Sequence, residues 1–240
     1  MNGMRITSVK QRQALGLAIL LALPVPAIAA PADGLPATKR SSACAELPGE
    51  DATNLGLIRQ MLLEGRPHAA LAFLDAGGIA HPQADILRAD GLRQSGREEQ
   101  AAQIYRQLLD SCVSGHAYRG LGLIAASQGN IAEALAHLRM ASAALPTEHT
   151  IRNDYGYMLM LTGDTKAALH EFLTAIELVP DYRQAAHNLL LLLYRSNDEQ
   201  KARAFADRFG ISAEEQARLQ ALARQPLAQH NTDQTIIHED

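Results

Sequence analysis

From about residue 51 the apolar positions recur at the three-and-four spacing of amphipathic helices, in short segments cut by Gly, Pro, Asn and Asp. In the centre of the chain that pattern itself repeats. With residues 115–148 set above 149–182, Leu121-Gly122 stands over Tyr155-Gly156, Gly129-Asn130 over Gly163-Asp164, Ala134 over Ala168, Leu138 over Phe172, Ala141 over Ala175 and Pro146 over Pro180. Each block reads as two helices joined by a turn. Gly122 and Gly156 fall in mid-helix, where a missing side chain costs up to about 1 kcal/mol relative to Ala, so close helix approach is what they serve. Gly129 and Gly163 end the first helix with a residue that tolerates positive φ, and Asn130 and Asp164 are placed to cap the next. Ala134 and Ala168 let the second helix lie tight against the first, Leu138 and Phe172 fill the space beside them, and Pro146 and Pro180 stop it.

A helix–turn–helix unit of about 34 residues with these small residues and this closing proline resembles the tetratricopeptide repeat. The resemblance implies an all-α fold, an αα superhelix (solenoid) of about five helix pairs with a C-terminal capping helix. Weaker copies flank the central two: Leu57, Met61, Gly65-Arg66-Pro67, Ala70 and Leu74 in 51–80, and Leu92, Gly96-Arg97, Ala101, Tyr105 and Leu108 in 82–114. A fifth copy in 183–212 carries Leu189, Leu193, Asn197-Asp198, Ala202 and Phe205 or Phe209, with Leu190 where the central units have Gly. On this reading Leu190→Gly costs only helix propensity, and Gly156→Leu overpacks. Ser212 and Glu215, at capping-box spacing, open a last helix that lays Leu219 and Leu222 over the fifth unit. The repeat domain therefore spans 51–224, and 225–240, polar and without period, is predicted to be a disordered tail in which only Ile236-Ile237 could dock.

Composition sharpens this picture. A chain with 47% hydrophobic and 4% aromatic residues builds helices from Ala and Leu. A formal net charge of −4 gives no basic face for nucleic acid. Arg5, Lys10 and Arg12 precede an apolar run over 14–23, and Pro24 and Pro26 break it before Ala27-Ile28-Ala29. That order is a secretory signal over 1–29, too short in its apolar part to span a bilayer, and its removal takes away three basic and no acidic residues, so −4 becomes −7. Residues 30–50 form a linker or arm. Its Cys44 stands too far behind the apolar run to be a lipid-attachment site, and the chain has one other cysteine, Cys112, near the end of a predicted helix. In an exported chain two cysteines favour a Cys44–Cys112 disulfide, with two buried thiols as the alternative.

Motifs that carry chemistry are missing from the sequence. It has no HExxH, no CxxC, no phosphate-cradling Gly-rich loop and no Gly-x-Ser-x-Gly, so the reading is no enzyme, no cofactor and no metal site. His68, His137 and His170 fall on second helices as solvent-facing residues, and His170 and Glu171, being adjacent, point different ways on their helix.

In tetratricopeptide domains the second, fifth, ninth, twelfth and thirteenth places of each unit line a concave face. Carried onto this sequence, the resemblance implies a peptide-binding row of Arg119, Asn153, Tyr157, Met160, His187, Leu191 and Tyr194, with polar groups for a backbone and apolar sockets for side chains. The stretches 119–123, 134–138, Leu145-Pro146, 152–157, 171–178 and 188–193 further resemble the TadD family of tight-adherence (Flp) pilus assembly proteins. That family implies a role in a pilus secretion apparatus and a protein or peptide partner such as the secretin; this sequence departs from its lipid signal. The expectation is thus a periplasmic scaffold that binds a segment of an envelope partner, with outer-membrane association left open and a general envelope adaptor or chaperone of the same fold as the alternative.

Overall fold

In the computed structural model, which describes residues 44–226, every segment cut out by Gly and Pro is a helix. The predicted signal segment, the linker as far as residue 43, and the tail beyond 226 with Ile236-Ile237 lie outside the described residues. The helices are α1 (Gly49–Leu63), α2 (Pro67–Gly77), α3 (Pro82–Gln94), α4 (Glu98–Gln107), α5 (Ser114–Ser127), α6 (Ile131–Ala144), α7 (His149–Leu161), α8 (Thr165–Leu178), α9 (Arg183–Arg195), α10 (Glu199–Phe209) and α11 (Ala213–Ala223). Consecutive helices pair into five hairpins, and each hairpin packs on the next, which makes a solenoid.

One turn closes all five hairpins. Gly65, Gly96, Gly129 and Gly163 sit at φ +66°, +78°, +77° and +82°, and Asn197, at +55°, takes the same part in the fifth unit. The residue after each donates its N–H back five places, as in Arg66 N to Met61 O (2.9 Å) and Asp164 N to Leu159 O (2.9 Å), so the last carbonyls of the first helix are satisfied in Schellman fashion. The predicted cap forms in the fourth unit, where Asp164 accepts from Ala167 N, and in the fifth Asp198 accepts likewise from Lys201 N. Asn130 differs from expectation: its side chain makes no capping bond. Cys112 also differs, for α4 stops at Gln107 and leaves it in the connection to α5. The Ser111 hydroxyl there bonds Leu108 O and Val113 N, and such local side-chain bonds draw the backbone out of a helix.

The core of each hairpin is set by a pair of residues sixteen apart: Ile58 with Leu74, Ala89 with Tyr105, Gly122 with Leu138, Gly156 with Phe172, and Leu190 with Ala206. All the side chains in these pairs are buried. A Cβ added at Gly122 would lie 2.7 Å from Leu138 Cγ, and one at Gly156 would lie 2.9 Å from the Phe172 ring, so both glycines make room for the large partner. In the fifth unit the sizes are exchanged. Leu190 fills what Ala206 leaves open, which corrects the expectation that Leu190→Gly costs only propensity: its loss opens a cavity.

Candidate peptide-binding site

The residues of the fifth place in units three to five, Arg119, Asn153 and His187, share one side of α5, α7 and α9, and each reaches a polar residue of the following helix layer. Arg119 Nε donates to Asp154 Oδ2 at 2.7 Å, and Asn188 Nδ2 donates to Asn153 Oδ1 at 2.9 Å. Both pairs are 35 residues apart, one unit plus one residue. The third rung, His187 Nε2 to Glu215 Oε1 at 3.4 Å, passes to α11. Asn153 Nδ2 points at Asp154 Oδ1 (3.4 Å), so a chain of donors runs from Asn188 through Asn153 into the Asp154 carboxylate, which Arg119 meets from the other side. Asn153, Asp154 and Asn188 are all buried.

Burial costs Arg119 hydration, but the adjacent Asp154 charge and hydrogen bond more than offset this and hold the guanidinium well above its usual range. Its Nη groups make no hydrogen bond among the described residues, and the side chain is 28% exposed. Beside it stands Tyr182, whose phenol is pushed up by burial and by Asp154. It donates to Gln184 Oε1 at 2.8 Å and takes the His149 ring against it edge-on, centroids 4.7 Å apart. His116 is exposed, and Leu123 and Thr150 are half-buried. This open part of the face can offer guanidinium donors to a carboxylate or to peptide carbonyls, flanked by aromatic surface.

The rest of the expected row is inside the protein. Asn153, Tyr157, Met160 and Leu191 are buried, and Tyr194 is half-buried with its hydroxyl on Gln216 Oε1 at 3.4 Å. Tyr157, Met160 and Leu191 belong to the apolar cluster that joins units three to five to α11. A second pair, half-buried Arg152 Nη1 with buried Glu171 Oε2 at 2.9 Å, ties α7 to α8. Glu171 carries no sign of its pairing in the sequence beyond its place beside His170, and Asp154 and Asn188 stand at the sixth place, which the family's groove positions skip. Cys44 and Cys112 are bonded, and His81 Nε2 lies 3.1 Å from Ala45 O, so the arm is fastened at two loops. Among the described residues, no three His, Cys, Asp or Glu side chains are grouped to hold a metal ion, and no helix is long and apolar enough to cross a membrane.

No protein-family model matches the chain. The TPR repeat-containing protein PA4299 of Pseudomonas aeruginosa strain PAO1 is 36% identical over 194 residues, which cover 75% of this chain and 79% of that one. The chain is a tetratricopeptide-repeat protein. Among solved structures, this tetratricopeptide-repeat protein is similar to Pseudomonas aeruginosa PilF, at TM-score 0.59 and 21% identity over 79% of this chain and 89% of that one. It is also similar to MamA from Desulfovibrio magneticus RS-1, at TM-score 0.50 and 15% identity over 75% of this chain and all of the other. At such identities the likeness is one of fold. It agrees with the stack of helical hairpins that the 34-residue period predicts.

Proposed function

We propose that this tetratricopeptide-repeat protein is a periplasmic scaffold that holds a peptide segment of an envelope partner on its concave face, and that it serves the assembly of a tight-adherence (Flp) pilus secretion system. The observation that carries the binding role is Arg119: it is locked by Asp154 through Nε and keeps its Nη donors for another molecule, next to Tyr182 and the exposed His116. Anchoring by arginine and aromatic side chains is common where a few residues dominate an interface. Export is supported by the basic start and apolar run over 1–29, and by a disulfide of the kind that persists in oxidising compartments. The pilus role is supported by the resemblance of the central motifs to the TadD family.

The test uses a variant that empties the site without leaving a buried charge, Arg119→Met with Asp154→Leu. Co-purification of a pilus secretin or another secretion component with the wild-type chain, and its loss in this variant while circular dichroism shows the stack still folded at the assay temperature, is the expected result. Unchanged capture would move the site off this face. Capture of many unrelated envelope proteins would instead favour a general adaptor. Intact mass checks export: a chain beginning near residue 30 without acyl mass is expected.

A further inference from the structure

α11 lies on the same side of α9 as the row that ends in His187, and it rests on α9 with little part taken by α10. Of its eleven residues only Leu219 is buried, with Leu222 and Ala223 packed partly buried against the same cluster, and its polar ties include Glu215 to Arg183 at 2.9 Å and to His187 at 3.4 Å, Tyr194 to Gln216 and, just past its end, Arg195 Nη1 to Gln225 O at 3.2 Å. Its own start is self-sufficient, because Ser212 and Glu215 form a complete capping box. It is joined to α10 through Gly210, at φ +62°, and the buried Ile211.

The helix under it is not fully satisfied. On α9, two buried polar atoms, Asn188 Oδ1 and His187 Nε2, have no hydrogen-bond partner among the described residues. Asn188 is 2% exposed and is held toward α7 through its Nδ2, and Glu215 meets His187 only at the long distance of 3.4 Å. A buried polar atom without a partner is unfavourable, and at His187 the covering helix is an incomplete complement. The charged groups facing His187 are Glu215, Arg183 and Arg218.

We propose that α11 occupies the groove in place of a ligand, and that the partner segment is an amphipathic helix of like chemistry, with a carboxylate in its first turn for Arg183 and His187 and a leucine four residues on. The pattern is copied from Glu215 and Leu219, whose apolar cluster includes Leu191. This rests on the reading of the concave face as a binding surface, and it adds which section is covered and what covers it. A tethered helix competes at high effective concentration, so a free segment binds only when α11 lifts.

The test is a labelled synthetic peptide of residues 212–225, titrated by fluorescence anisotropy into the full chain and into full-chain Leu219→Asp. Binding to the variant at least about tenfold tighter than to wild type is expected, because the tethered copy no longer competes. Binding to neither, or to both equally, overturns the proposal. Where Leu219→Asp lowers melting of the whole stack, Glu215→Arg replaces it, and hydrogen exchange of the wild-type chain is read alongside. Amides of α11 exchanging ahead of those of α9 and α10 are expected, and exchange in step with α9 overturns it. The two readings fail separately. Peptide binding to Leu219→Asp, with partner capture unaffected by Arg119→Met/Asp154→Leu, keeps this proposal and removes the other; α11 exchanging in step with α9, with capture lost, does the reverse.

Discussion

The joints on the two sides of the third unit are closed by opposite means, although one register runs through both. Toward the second unit, Gly120 leaves a gap that the Tyr105 ring fills: a Cβ at Gly120 would lie 2.2 Å from Tyr105 Cζ. Tyr105 donates to Asp90 Oδ1 at 2.5 Å, and its phenol is pushed well up by burial. Toward the fourth and fifth units the place of Gly120 is taken by Asp154 and Asn188, and the gap becomes a hydrogen-bonded rung. A ring whose hydroxyl is met within its own unit is satisfied across the joint by volume, whereas a buried polar rung is satisfied only by its complement. The C-terminal joints therefore specify their neighbours, and the N-terminal ones are held by fill and by a covalent tie.

The largest effect is expected where the size exchange is undone. Leu190→Gly should cost about 4 kcal/mol in urea unfolding, a large-to-small cavity plus the glycine penalty. Adding Ala206→Phe should recover part of this, since it rebuilds the glycine–aromatic pair of the fourth unit; a double variant no better than the single would show that the two positions do not share one space. Next comes the polar side of the comparison. Asp154→Ala strands the Arg119 charge and should cost about 3 kcal/mol, while Arg119→Met with Asp154→Leu, which leaves only the Asn153 amide without its acceptor, should cost about 1–2 kcal/mol. A double-mutant cycle measures it.

Reduction of the disulfide should cost about 2 kcal/mol, and the loss should stay local because a solenoid couples near neighbours. Hydrogen exchange is expected to rise in α1 to α5 and to hold in α7 to α10. The smallest effect is that of pH on α11. Burial lowers the His187 pKa from 6.5, so the unfolded or undocked chain takes up the proton first, and docking weakens as pH falls below about 6.5. Glu215 is held down to about 2, first by the Ser212 hydroxyl and then by its backbone N–H. Its contribution is complete above the ordinary carboxylate value of 4.5 and fades between there and about 2. Both act in one direction. Exchange of α11 amides, corrected for intrinsic rate, should become less protected from pH 7 to pH 5.

The helices and turns were legible because each depends on residues within one unit: a glycine at the turn, an alanine at the contact, a proline at the exit. The row Arg119, Asn153 and His187 was legible for the same reason, since the period places it. Its bonding was not, because each rung joins the fifth place of one unit to the sixth of the next, an offset that a period of 34 conceals. Two adjacent polar places in successive units, Asn153-Asp154 and His187-Asn188, were the available sign. Gly120 gave a sign too, as a second glycine beside Gly122 with no counterpart in the fourth unit. That a last helix lies over the fifth unit was legible from Ser212, Glu215, Leu219 and Leu222; that it rests on α9 and hardly on α10 was not, because the repeat ends before it.

The bond between Cys44 and Cys112 spans 68 positions, while every other joint described links a unit to itself or to its neighbour. A chain that emerges from its N-terminus therefore presents Cys44 well before its mate. The first two hairpins must be out in full before the bond can close. Any chain halted in between carries a single open thiol, available to another such chain or to an oxidoreductase, so premature termination within the first two units is marked chemically and not only by a missing fold.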